Sequence, residues 1–145
     1  MTLDDILKSW QVDNVIDPTD VGNASLQQAK LHSKYLRFLS EERLVLKKLR
    51  AEYKQLQKLK YEYYTGSISQ EDLKNNGWDP NLLKILRTDV TMYIDADADV
   101  VKHTLKVGAQ EEKVDALDSI LKNINNRGFQ IKNYIDFIKF TNGAI

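Results

Sequence analysis

Apolar residues recur at helical spacing along nearly the whole chain. Thr2 with Asp5 three residues on is a capping-box signal, and Leu3, Ile6, Leu7 and Trp10 then share one face of a short helix. Asp17-Pro18 and Asn23 are alternative starts for the next helix, because Asp and Asn cap helices and Pro suits a first turn. No Pro or Gly follows Asn23 until Gly66, so the spacing predicts one helix ending at a glycine stop. From Ser25 to Tyr64 it would be roughly 60 Å long at the usual helical rise. Tyr35, Phe38, Val45, Leu49, Leu56, Leu59 and Tyr63 repeat at threes and fours, with Glu42 and Glu52 interrupting. That is an imperfect heptad seam, widened by Leu36, Leu39, Leu46 and Tyr53. A helix of this kind packs on partner helices.

Residues 67–79 are polar and turn-rich, with a short helical turn expected after a Ser69 cap. Asp79-Pro80 reads as another helix start, with Leu82, Leu83, Ile85 and Leu86 as its apolar face. Residues 89–99 alternate at Val90, Met92 and Ile94 as a strand does, but the helical context favours helix. Val101, Leu105, Val114, Leu117, Ile120, Leu121 and Ile124 then continue at helical spacing. Arg127-Gly128 is a candidate bend or interruption. Phe129, Ile131, Tyr134, Ile135 and Ile138 form a last apolar face before Asn142-Gly143.

The expected fold class is therefore mostly α: an elongated helical protomer with a long, antiparallel, coiled-coil-like helix and a C-terminal helical segment. Its 145 residues fit one domain. Within it, residues 1–66 carry the N-terminal helices, 67–79 a variable loop and 80–145 the C-terminal helices. Scarce Gly and Pro agree with helix, and the absence of Cys removes a disulfide scaffold and a cysteine nucleophile. The acidic start Met1-Thr2-Leu3-Asp4-Asp5 is not a secretory signal, and no apolar run approaches the ~20 residues that span a bilayer.

Charge adds a sharper feature. Between Lys30 and Lys60 there are ten Lys/Arg and three acids, a local +7 in a chain that sums to zero. At the helical angle per residue, Arg43, Lys47, Arg50, Lys54 and Lys58 fall within a sector of about 80°. Tyr61 projects into that sector and Tyr64 lies at its edge; Lys60 lies on another face, at the helix end. Cationic side chains at this spacing neutralise successive phosphates, and tyrosines stack on unpaired bases without regard to sequence. The same strip also fits a solvated face of a coiled-coil structural or assembly adaptor without nucleic-acid binding, and the residues alone leave both readings open.

Other candidate chemistry is thin. Asp95-Ala96-Asp97-Ala98-Asp99 opens like a calcium loop, but Val100 and Lys106 stand where Gly and Glu are required. The aspartates read as acids at a helix start, and with Glu111 and Glu112 they form a candidate protein-docking charge. His32 and His103 are isolated, and no phosphate-binding loop, nucleophile elbow or metal-protease motif occurs. No catalytic residue, metal or cofactor is expected. The apolar residues Leu117, Ile120, Leu121, Ile124, Phe129, Ile131, Ile135 and Ile138 are candidates for a homo-oligomer interface, with an intramolecular three- or four-helix bundle as the alternative.

Three segments carry a family likeness: Ser33-Lys34-Tyr35-Leu36, Lys58-Leu59-Lys60-Tyr61-Glu62-Tyr63-Tyr64-Thr65-Gly66 and Asn126-Arg127-Gly128-Phe129-Gln130-Ile131-Lys132. In that order they resemble the UvsY recombination mediator family of T-even-type bacteriophages, over about Leu3 to Phe140. The resemblance implies a non-enzymatic protein of DNA recombination, repair and replication in the cytoplasm of the infected host cell. It would bind single-stranded DNA and load a RecA-like recombinase onto DNA covered by single-stranded DNA-binding protein. It also implies a homo-oligomer, hexamer or heptamer, formed through the C-terminal region. The family's DNA-contacting basic pair, just before the Tyr-Tyr motif, corresponds to Lys58 and Lys60; Lys60 keeps the charge of an Arg found there but not its planar fork. Residues 67–86 depart from the family pattern.

Overall fold

The computed structural model describes residues 1–143 and is all-helical, with no strand among them. Six α-helices follow in order: α1 (Leu3–Asp13), α2 (Val21–Leu26), α3 (Gln28–Thr65), α4 (Gln70–Asn76), α5 (Val90–Asp95) and α6 (Ala98–Thr141), with a 3₁₀ turn at Arg87–Asp89 before α5. The chain divides into two compact units. The first takes Met1–Leu44 and the chain from Gln110 onward; the second is Val45–Ala109.

In the first unit, Thr2 and Asp5 form the expected capping box at the start of α1. Ile6 buries completely, with Tyr35, Leu39, Leu117, Ile120, Ile124 and Ile131. Tyr35 is the centre of an aromatic group, edge-on to Trp10 at 5.4 Å and to Phe38 at 5.6 Å. Its hydroxyl donates to Asp13 Oδ2 at 2.8 Å, and Lys34 Nζ reaches the same oxygen at 2.6 Å. The α3 and α6 portions of this unit run antiparallel. Gln28 donates to the Ile124 carbonyl, and Gln110 and Lys113 both meet Glu42.

The predicted single helix to Gly66 holds as one long bent helix: α2 and α3 join at Gln27, whose backbone stays helical and keeps its bonds to the Asn23 carbonyl and the Leu31 amide. One expectation about this unit changes. Arg127-Gly128 does not interrupt α6. A mid-helix glycine costs about 1 kcal/mol against Ala, too little to break a helix fixed on both sides by packing. The Arg127 side chain is itself part of that packing: it is buried, and donates to Gln28 Oε1 at 2.7 Å and to the Val15 carbonyl at 3.3 Å.

In the second unit, α3 ends as the glycine predicts. Gly66 takes φ +78°, and the Ser67 and Ile68 amides close back on the Glu62 carbonyl. Ser69 caps α4 through the Asp72 amide. Asp79-Pro80 starts no helix: residues 78–86 are extended or irregular. Asn81 explains the difference, because its side chain accepts from the Leu83 amide and donates toward the Leu83 and Tyr64 carbonyls. Such local bonds offer the backbone an alternative to the helical ladder. Leu82, Leu83 and Leu86 are left exposed. Residues 90–95 are helical as read, and Asp97 then starts α6 by accepting from the Asp99 and Val100 amides. The core here joins Val90, Ile94 and Val100 to Tyr53, Leu56, Tyr64 and Ile85.

Candidate nucleic-acid interface

The second unit presents a basic face on α3. Taking Tyr61 as zero and the helical angle per residue, Lys47, Arg50, Lys54 and Lys58 lie between about −20° and +60°. All five residues are exposed; the Lys58 side chain is 79% accessible and Tyr61 is 48% accessible. Leu46, Leu49, Tyr53 and Leu56 lie between about −60° and −140° and turn inward. The helix thus separates a cationic side from a packing side by roughly a third of a turn, as an amphipathic element must. Lys58 has Glu62 at 3.8 Å, a surface pair in which the lysine is the exposed partner and which is worth at most about 1 kcal/mol.

Arg43, the first residue of the predicted stripe, belongs to the other unit. There its guanidinium donates to Asp118 at 3.1 Å, and both side chains are about half exposed.

Lys60 sits elsewhere. Its angle, about −100°, is the middle of the packing side. Only 5% of its side chain is accessible. The ammonium lies 2.9 Å from Asp99 Oδ2 and 3.1 Å from Asp97 Oδ2, and 3.9 Å above the Trp78 ring. Tyr64 is half-buried beside it and donates to Asp97 Oδ2 at 2.7 Å. Burial pushes the Tyr64 hydroxyl well above its ordinary pKa, and the Asp97 charge adds to that. Burial alone would raise the Asp97 carboxyl, but the bonds from Tyr64 and Lys60 outweigh it and hold the carboxyl below its usual value. Tyr63 completes the group, edge-on to Tyr64 at 5.1 Å and 5.6 Å from Trp78, with its hydroxyl on the Asp79 carbonyl. Asp97 is therefore engaged inside this unit, which removes it from the candidate docking surface; Asp99 pairs with Lys60 but stays half exposed. Trp78 and the two aspartates were not associated with the basic helix in the sequence. The available signal was angular: Lys60 shares its face with Leu46 and Tyr53.

The two histidines pack or face solvent. His103 Nε2 lies 2.9 Å from the Leu49 carbonyl with its ring stacked on Tyr53, and His32 is exposed. The candidate interface residues of α6 divide as well. Leu117, Ile120, Ile124 and Ile131 are inside the first unit's own core, Leu121 is partly buried, and Phe129, Ile135 and Ile138 are exposed with Tyr134, Phe137 and Phe140.

A family model described as recombination, repair and single-stranded-DNA-binding protein UvsY matches residues 9–144. The chain belongs to the UvsY family. Its fold is also similar to two crystal structures of the bacteriophage T4 recombination mediator protein UvsY. One, in lattice type IV, is 24% identical with TM-score 0.86, and the match covers 97% of this chain and 99% of that one. The other, in lattice type II, is 24% identical with TM-score 0.85, over 97% and 98%. A search of curated proteins finds no match. As a UvsY-family member this chain is a single-stranded-DNA-binding protein of recombination and repair, not an enzyme. No helix among the described residues is long and apolar enough to cross a membrane. Much of what makes the chain look like UvsY is internal fastening. Lys34 and Tyr35 hold Asp13, Lys60 and Tyr64 hold Asp97, and Arg127 holds Gln28 and Val15.

Proposed function

We propose that single-stranded DNA lies along the exposed face of α3 in the second unit, with Lys47, Arg50, Lys54 and Lys58 on phosphates and Tyr61 against a base. The observation that carries this is the exposed cationic sector, clear of the packing side, in a chain of a single-strand-binding family. No base edge is read; affinity comes from counterion release and stacking. Exposed Phe129, Ile135 and Ile138 cover one another between copies, giving a homo-oligomer of six or seven. Repeating a weak site around such an assembly multiplies it by effective concentration. Holding the strand in this way loosens the covering single-stranded DNA-binding protein and favours a RecA-like recombinase, inside the infected host cell. The exchange needs no chemistry, because it is a shift between competing DNA complexes.

The test is oligo-dT binding by anisotropy over a salt series. Replacing Lys54 and Lys58 by Ala weakens binding, and the slope of log affinity against log salt becomes shallower by roughly 0.7 for each phosphate no longer neutralised. Unchanged affinity and slope in a folded double variant refutes the assignment.

A further inference from the structure

Lys60 is a cation placed where a phosphate cannot reach it. Its residue is 4% exposed, it is coordinated by two carboxylates, and an indole covers it. The groups around it come from three stretches of the second unit: the end of α3, residues 78–81 and the start of α6. Asp97 has a double task. Its Oδ1 accepts from the first amides of α6 while its Oδ2 takes Tyr64 and Lys60. Without the ammonium, the buried Asp97 carboxylate would lose its ion partner while the half-exposed Asp99 stood beside it, and the Trp78 ring would lose its cation. A charge left unpaired in such a place is costly, so the site must open or rearrange. The last two turns of α3 would move with it, and they carry Lys58 and Tyr61 on their opposite side.

We propose that Lys60 is a positioning residue for single-strand binding and not a phosphate contact. Its buried ammonium locks the end of α3 against Trp78, Asp97 and Asp99, and so fixes the orientation in which Lys58 and Tyr61 meet the DNA. This rests on the DNA face assigned above, and the two ideas fail differently.

Three single variants of the full chain, Lys58→Ala, Lys60→Met and Asp99→Asn, are titrated with labelled oligo-dT over a salt series. The Trp78 indole resonance, one of two in the chain, is followed by NMR. Lys58→Ala neutralises one phosphate fewer, so its salt slope is shallower by roughly 0.7. Lys60→Met binds several-fold more weakly at every salt with the slope unchanged, and its Trp78 resonance shifts. Asp99→Asn decides the matter even where Lys60→Met does not fold. Removing a negative charge beside a direct phosphate contact strengthens DNA binding, whereas loosening a lock weakens it. Weaker binding at unchanged slope, with a shifted Trp78 signal, supports the proposal. Tighter binding by Asp99→Asn overturns it, as does a Lys60→Met slope lowered as in Lys58→Ala with Trp78 unmoved. If Lys58→Ala keeps both affinity and slope, the DNA face itself is refuted, and the positioning role with it.

Discussion

Tyr35→Phe isolates one hydroxyl in the core of the first unit. The residue is fully buried, and Phe preserves both edge-on contacts, to Trp10 and to Phe38, so no cavity forms. What disappears is the bond to the Asp13 carboxylate and the 3.3 Å approach to Ser9 Oγ. A hydrogen bond to a charged group contributes about 1.5–3 kcal/mol. Asp13 keeps Lys34, and its side chain is 21% accessible, so water takes part of the vacated place. The expected loss is then at the low end, about 1.5 kcal/mol, or about 3–6 °C in Tm for a chain of this size. Its pH dependence has a definite sign. Burial alone would raise the Asp13 carboxyl, yet the bonds from Lys34 and Tyr35 and the Lys34 and Arg127 charges hold it below its ordinary value. A depressed carboxylate stabilises above its unfolded pKa of about 3.9, and that contribution is lost as pH falls through the folded value. Removing the Tyr35 donor brings the two values closer, so wild type and variant differ most at neutral pH and converge in acid. Urea unfolding at neutral pH and below the unfolded pKa measures both limbs. An equal loss at both pH values, or none at neutral pH, refutes the reasoning. The Tyr35 hydroxyl, pushed up to about 12 mainly by burial, stays protonated throughout.

Core and interface residues of α6 should separate by assay. Leu117→Ala, at a fully buried site, costs about 2–5 kcal/mol in unfolding, whereas Phe129→Ser leaves the protomer fold intact and lowers the mass of the proposed oligomer in sedimentation; a reversed pattern would refute the division. Gly66→Ala meets open space but must adopt φ +78°, so it costs about 1 kcal/mol of stability by thermal melting while leaving the salt slope of DNA binding unchanged.

The sequence was most informative where a short local signal is also the physical cause. The Thr2–Asp5 box, the Ser69 cap and the Gly66 stop each act through backbone groups within a few residues, and each stands where it was expected. It was least informative where a distant partner decides. Nothing near Asp79-Pro80 announces that Asn81 will bond its own backbone and Tyr64 instead of admitting a helix. Arg127-Gly128 looks like a break until Gln28 and Val15, about a hundred residues away, are placed against it. The candidate site shows the same division. Exposure of Lys47, Lys54, Lys58 and Tyr61 follows from angular position alone. The burial of Lys60 needed Trp78, Asp97 and Asp99, and a charge count treats it like its neighbours.

The chain supplies its own counterions to the basic helix. Lys34, Arg37, Arg43, Lys48, Lys58 and Lys60 each have a carboxylate of this same chain within 4.0 Å. In the DNA complex proposed above, phosphates arriving at the exposed ones exchange one anion for another, so the net electrostatic gain per protomer falls below the formal charge. The tethered carboxylate also remains beside the site, ready to reclaim its cation when a phosphate leaves. Binding of that kind has short residence times at each phosphate. In the proposed oligomer a strand can then be released segment by segment while the remaining protomers keep hold of it, which suits the exchange proposed above.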